Sequence, residues 1–344
     1  MLALTLLAAA FAQPPAPVVA RPTVVRGIYN WVHTTGDAER AFPFYRDVLG
    51  IELARSPFVG TPAADAAPER IRAKDTAGSD PLVWDLTNTH GSRFRTVFTH
   101  ASNTPFGLEL SEFFDIPRGE RAPNPWDPGA AKLMFRVRDL AAVVAGLRAR
   151  ATPVVTLGGS PVDTPAGRSI LVRDPDGSLV QLTQASSAEI AGAKSGGQIV
   201  ATQIGISVAD MKAALAFYLG LLGFDGGDSR RGTHAELRLN GLADGDLRQI
   251  ATSIPGTDVM VILAGFSVPA GTTAKPFDWR IQDVGAPQLQ LEVIGLDALL
   301  ERTKSAGYRF LSVGAKPIAR PFGRFVFAID PDGVLVEFVE PARQ

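Results

Sequence analysis

The residues able to do chemistry in this chain are few in kind. Its 344 residues include no cysteine, which excludes disulfides, thiolate nucleophiles and Cys-ligated zinc. The four histidines, His33, His90, His100 and His234, nowhere stand at a short chelating spacing. His90 lies in the turn-like Asn88-Thr89-His90-Gly91, and His234 follows Arg230-Arg231-Gly232; both settings read as surface. His100 ends a β-prone run and is the histidine best placed to reach a site. Acid, base and ligand groups must otherwise come from carboxylates, amides and lysines.

The charge balance narrows the partners. Lysine and arginine number 34 against 35 acidic residues, a net charge of -1 with no long run of one sign. Phosphate binding needs a concentrated basic surface, so nucleic acid is not an expected partner. A hydrophobic share of 46% with 20% charged residues is that of a globular protein, and the length suits two domains. Residues 1–12 read as a signal peptide: Leu2 to Ala10 are apolar, and Ala10-Phe11-Ala12 fits a signal-peptidase site before Gln13. Pro14, Pro15 and Pro17 then suit an exposed mature terminus. The apolar stretch is too short to cross a bilayer, so the expectation is a periplasmic or secreted protein with no membrane contact after processing.

The elements that must position any site come twice. Phe44-Tyr45-Arg46-Asp47-Val48-Leu49-Gly50 matches Phe217-Tyr218-Leu219-Gly220-Leu221-Leu222-Gly223, each with an Asp seven residues before its Phe, at Asp37 and Asp210. Asp174-Pro175-Asp176-Gly177 matches Asp330-Pro331-Asp332-Gly333, and an apolar β-prone run follows both. The chain is a duplication. In each copy the periodicity alternates between strand and helix. Gly27 to Val32 reads as a strand, and Asp37 caps a helix that Gly50 ends. Pro43 should kink that helix. Phe94 to Thr99, Gly107 to Phe113 and Leu133 to Val137 read as strands, Leu140 to Arg150 as a helix. Ser169 to Val172 and Leu179 to Thr183 form a hairpin around the Pro-Asp-Gly turn. The fold class is α+β: tandem βαβββ units with mostly antiparallel sheets. Residues 24–183 and 200–340 form the two modules, and the Ala-, Ser- and Gly-rich 184–199 reads as a flexible linker.

An Asp-capped helix ending in Phe-Tyr-x-x-x-Leu-Gly, paired with a closing Asp-Pro-Asp-Gly hairpin, resembles the vicinal-oxygen-chelate superfamily of glyoxalases, bleomycin-resistance proteins and extradiol dioxygenases. The resemblance spans nearly the whole chain after the leader. It implies two βαβββ units per cupped sheet, with four site positions converging inside each cup. In module one those positions fall on Asn30, Glu109, Lys132 and Gln181; in module two on Gln203, Ile262, Gln288 and Glu337. Metal-dependent members carry His, Glu or Gln there. A lysine ammonium in one set and an isoleucine in the other fit a divalent ion poorly, so no cofactor is expected. His33, three residues after Asn30, falls on the opposite face of its strand.

The expected function is binding of a small apolar or aromatic molecule. Glu109, Lys132 and Glu337 are the candidate catalytic groups; Asn30, Gln181, Gln203, Gln288 and His100 are the candidate ligand contacts. Lyase or isomerase chemistry on the residual acid–base groups is one alternative. A metal-dependent glyoxalase or ring-cleaving dioxygenase with atypical ligands is another. Lys132 is expected to pair with Glu109 as the first cup's positive charge. Ser56 to Arg93 and Phe266 to Pro287 are candidate lids, and Trp84, Trp126, Phe106, Phe113 and Phe114 could add aromatic surface at the first mouth. The chain is expected to act as a monomer or homodimer.

Overall fold

A computed structural model describes residues 24–54, 74 and 77–342. The leader and its expected cleavage site lie outside the described residues, as does much of the first candidate lid.

Four βαβββ units follow one another. The first holds β1 (Val25–Thr34), α1 (Ala38–Leu49), β2 (Glu52–Leu53), α2 (Pro81–Thr87), β3 (Arg93–His100) and β4 (Gly107–Phe114). The second holds β5 (Ala131–Val137), α3 (Leu140–Ala149), β6 (Val162–Thr164), β7 (Gly167–Arg173) and β8 (Leu179–Gln184). After α4 (Ser187–Gly192), the third holds β9 (Ile199–Ser207), α5 (Met211–Leu215), β10 (Asp225–Arg231), α6 (His234–Leu239), β11 (Asp246–Ser253) and β12 (Met260–Ser267). The fourth holds β13 (Pro287–Val293), α7 (Leu296–Ser305), β14 (Arg309–Phe310), β15 (Ile318–Arg320), β16 (Gly323–Ile329) and β17 (Leu335–Pro341).

Local sequence accounts for the helix boundaries. Asp37 accepts a hydrogen bond from the Glu39 amide at the start of α1, and Gly50, at φ 69°, closes it in the left-handed conformation. The helix continues through Pro43. In the second copy Asp210 caps α5, which loosens into a π-helical turn over Ala216–Leu221. The linker is more ordered than its composition suggests. Ser186 and Glu189 form a reciprocal capping box on α4, and Arg136 holds Glu189 at 2.6 Å.

The strands make two curled mixed sheets. Each unit keeps its first and last strands parallel and side by side, so four parallel pairs interrupt the antiparallel ladders. The sheet partners are not the ones that sequence order suggests. β1 pairs antiparallel with β13, and β5 with β9. One sheet therefore joins the first unit to the fourth, and the other joins the second to the third. The units of one module lie in different sheets. One face of both sheets packs on the helices in a single large core, to which Trp31, Leu110, Phe135, Ile206 and Phe338 contribute. The other face of each sheet is a cup.

The described parts of both candidate lids pack against the body of the protein. Asp80 caps α2 and pairs with Arg320, and the Ser312 hydroxyl donates to the Leu86 carbonyl at 2.7 Å. In the second, the Trp279 indole donates to the Gly129 carbonyl at 3.1 Å and stacks on Phe277.

This exchange of units has a direct consequence for the separate halves. Residues 24–195 expressed alone leave the β1 and β5 edges without their partners, and exposed edges associate. We expect dimers or aggregates on size-exclusion chromatography. A folded monomer with native near-ultraviolet circular dichroism would refute the exchanged pairing.

Candidate functional site

Register decides which side chains share a cup. Asn30 stands opposite Gln290, and Gln290 is level with Glu337 on the next strand. Val32 stands opposite both Glu109 and Gln288. Side chains opposite one another on neighbouring strands share a face. The first cup, built from units one and four, therefore holds Asn30, Glu109, Gln288, Gln290 and Glu337. All five are buried, Glu109 at 6% and Glu337 at 3% exposure. A register shift between Ile28 and Asn30 puts an irregularity at Tyr29, whose ring packs into the same cup beside the acidic pair.

The second cup, from units two and three, holds the equivalent row Gln203, Met134 and Gln181, with Lys132 and Ile262 one step along. These positions carry no carboxylate. The cup is occupied by its own helix: Leu237 and Leu239 of α6 sit in apolar clusters with Leu171, Leu179, Leu247 and Ala264. Asn240, just after α6, accepts a hydrogen bond from Lys132 Nζ at 2.9 Å. The expected Lys132–Glu109 pair does not form, because the two residues belong to different sheets. Burial lowers the Lys132 ammonium to about 8, partly offset by Glu236.

Burial raises both carboxyls of the first cup above the usual carboxylate range. Burial pushes Glu109 up to about 8, with Asn30 and Ser111 opposing the shift. Asn30 Nδ2 donates to Glu109 at 3.3 Å, and the Ser111 hydroxyl is 3.5 Å away. Burial raises Glu337 well above its ordinary value, the nearby Glu109 raises it further, and Gln290 opposes both. No cation contributes to either shift. The Gln290 Oε1 is buried without a hydrogen-bond partner. Two carboxyls and two side-chain amides, one of them with an unused carbonyl oxygen, are a donor set of the kind that suits a divalent cation. The lysine and isoleucine behind the expectation of no cofactor stand in the other cup.

The cup wall is aromatic. Phe94, Phe113, Trp279, Phe325 and Phe327 pack around the polar floor with Leu86 and Ile281. Of the other aromatics picked out in the sequence, Phe106 joins the helix-covered core and Phe114 lies beneath Arg93 and Arg95. Trp84 donates to the Ser92 carbonyl at 2.6 Å, and Trp126 belongs to the second cup. His100 is exposed at the end of β3. His90 pairs with Asp85 at the surface, and His234 is likewise exposed.

The counted third positions, Gln288 and Lys132, lie level with Glu109 and Ile262, and Gln290 and Met134, two residues further along the same strands, lie level with the Asn30 and Gln203 positions. The helix after β5 is capped by Asp139, whereas the one after β13 begins at Gly295 in the left-handed conformation. Tyr29 was missed because a bulge cannot be read from alternation. Both remain close to the counted position, and strand pairing alone distinguishes them.

Paired βαβββ units form two cups, one with two carboxyls on its strands and the other filled by a helix. The chain belongs to the Glyoxalase/Bleomycin resistance protein/Dioxygenase superfamily, whose family model matches residues 29–182 and 200–338. Glyoxalase I from Zea mays superimposes with a TM-score of 0.55 at 16% identity, over 91% of this chain and 92% of that one. A candidate dioxygenase from Bacillus subtilis superimposes with a TM-score of 0.53 at 12% identity, over 93% of this chain and 87% of that one. At these identities the likeness is one of fold. No curated protein matches the chain. Among the described residues no helix is long and apolar enough to cross a membrane.

The raised carboxyl values have a stability sign. A glutamate whose folded value lies above its ordinary 4.5 binds its proton more tightly in the fold. Its contribution is complete below about pH 4.5 and is lost as the pH rises toward 8, at up to about 1.4 kcal/mol per pH unit. Cation-free protein should therefore melt progressively lower between pH 5 and pH 8. E109Q and E337Q should each flatten that slope in calorimetry, and wild-type slopes in both variants would show that these carboxyls ionise freely.

Proposed function

We propose that this chain is a one-site small-molecule protein of its superfamily, and that the cup of units one and four binds an apolar or aromatic compound for proton-transfer chemistry. The observation that supports this reading is the gathering of Glu109 and Glu337 into one cup while the other cup is filled by α6. The aromatic wall provides the affinity, and Asn30 and Gln290 provide the orientation. Glu109, brought near neutrality by burial, is suited to take a proton from a bound carbon or hydroxyl and return it. Glu337, held in the acid form, donates a hydrogen bond to a ligand oxygen. Tyr29 closes the polar end of the cup.

A divalent cation, if bound by Asn30, Glu109, Gln290 and Glu337, would polarise adjacent ligand oxygens as a Lewis acid. With two glutamates to neutralise it, such an ion would hold both carboxylates ionised. The residues fit it. Sequestration without turnover is the second reading, supported by the aromatic wall, which can hold a ligand without using the carboxyls.

The test is turnover and binding of a panel of small aromatic and vicinally oxygenated compounds, with metal content measured on the same preparations. E109Q should lower turnover about 10²- to 10⁴-fold, the usual contribution of a general acid–base group. K132M should leave it within about twofold, since Lys132 serves the other cup; binding with no turnover at all would favour sequestration. Loss of binding in K132M and not in E109Q would place the site in the wrong cup.

A further inference from the structure

Outside the cup, unpartnered polar atoms gather where β1 meets the turn between β7 and β8. His33 projects from the helix-covered face of β1 and is 2% exposed. Its Nε2 lies 3.3 Å from Asp174 Oδ2 and 3.7 Å from Asp176 Oδ2. A charge-assisted N–H···O bond spans about 2.7–2.9 Å, so both separations are long for one. They are close to the edges of a tetrahedron whose corners lie about 2.0–2.2 Å from its centre, the bond lengths zinc makes to nitrogen and oxygen.

Asp174 Oδ2 also accepts from the Tyr45 hydroxyl at 2.6 Å, and the other oxygens of the two carboxylates are in use as well. Asp174 Oδ1 accepts from the Asp176 and Ser178 amides, and Asp176 Oδ1 from the Gly36 amide and Arg40. Three buried atoms remain without a hydrogen bond: His33 Nε2, Asp176 Oδ2 and Ser178 Oγ. His33 and Ser178 line a cavity of about 10 Å³, room for one water-sized species. The second copy provides an internal comparison. Tyr218, Asp330 and Asp332 repeat the turn and its hydrogen bonds, but Ile206 occupies the place of His33. There burial and then the neighbouring Asp332 push the Asp330 carboxyl up to about 7. The added imidazole is a property of the first copy alone.

We propose that His33, Asp174 and Asp176 form a structural site for one divalent transition-metal ion of the zinc type. One imidazole and two carboxylates suit such an ion, neutralise it, and leave a fourth position for water on the Ser178 side. His33 belongs to the first sheet and the two aspartates to the second, so the ion joins the sheets. The rival occupant is a proton. Burial would lower the His33 value, but the Asp174 and Asp176 carboxylates raise it overall, which favours an imidazolium when no metal is present.

The test has to exclude the cup, so it uses the E109Q/E337Q protein, stripped with chelator and dialysed. We expect that protein to take up one zinc ion per chain in native mass spectrometry and to melt at a higher temperature with zinc. Cobalt in its place should give the visible absorption of a tetrahedral nitrogen–oxygen site. H33I, which copies the residue at the matching position of the second copy, should abolish all three responses while circular dichroism stays native. Uptake below about a tenth of an ion by E109Q/E337Q would overturn the proposal and leave His33 as an imidazolium. So would full uptake that survives H33I. If H33I does not fold, the zinc and cobalt measurements on E109Q/E337Q still decide. The cup reading is unaffected by either result, because it is tested on Glu109.

Discussion

A buried hydrogen bond from tyrosine to aspartate, made twice, holds the two sheets together. The Tyr45 hydroxyl donates to Asp174 at 2.6 Å, and Tyr218 to Asp330 at 2.8 Å. Each tyrosine rides on the helix of one sheet, and each aspartate sits in a turn of the other. Phenol and carboxylate are both fully desolvated, so losing one partner strands the other at a cost of about 1–3 kcal/mol or more. The two repeated motifs of the sequence are thus the two ends of one interaction. Their backbone support is also shared: Asp176 accepts the Gly36 amide, and Asp332 the Ala209 amide, at the start of the same helices. Helix entry and turn geometry are set together.

Those latches join consecutive units, and this leaves the cups to be closed by the other pairings. Because β1 closes on β13 and β5 on β9, each cup draws half its wall from each copy. Duplicated cups are then free to diverge. One concentrates both glutamates on a floor surrounded by aromatic rings. The other replaces the matching residues with Gln181, Met134 and Ile262 and admits α6 as filler. Polar burial is costly unless it is partnered, and in the filled cup Asn240 partners the buried Lys132.

Much of this architecture was legible in the chain. The repeated helix and turn motifs gave the units, the strand alternation put Asn30 and His33 on opposite faces, and the strand ends fell within a few residues of Thr34, Phe114 and Val137. Sheet pairing was not legible, because a repeat says which units are alike and is silent about which edges meet. For that reason Lys132 was matched with Glu109 although Asn240 is its partner. The aspartates beside His33 were equally hidden: strand periodicity gives the direction of His33 but not the distant turn that packs against it. Composition also misjudged 184–199, where a single Ser–Glu capping box outweighs many flexible residues.

The exchanged pairing also gives the polypeptide a timetable. Ribosomes release a chain from its amino end, and domains tend to fold as their residues emerge. β5 and β9, the seam of the filled cup, are separated by a modest stretch of sequence. β1 is made early, yet its partner β13 is among the last strands synthesised. The open edge of β1 must therefore stay unpaired while most of the protein is being made, and long-range pairing of this kind is slow. The filled cup can be complete before the acidic one exists. A helix that plugs it early gives the nascent chain a finished, dry half on which the remaining strands can close.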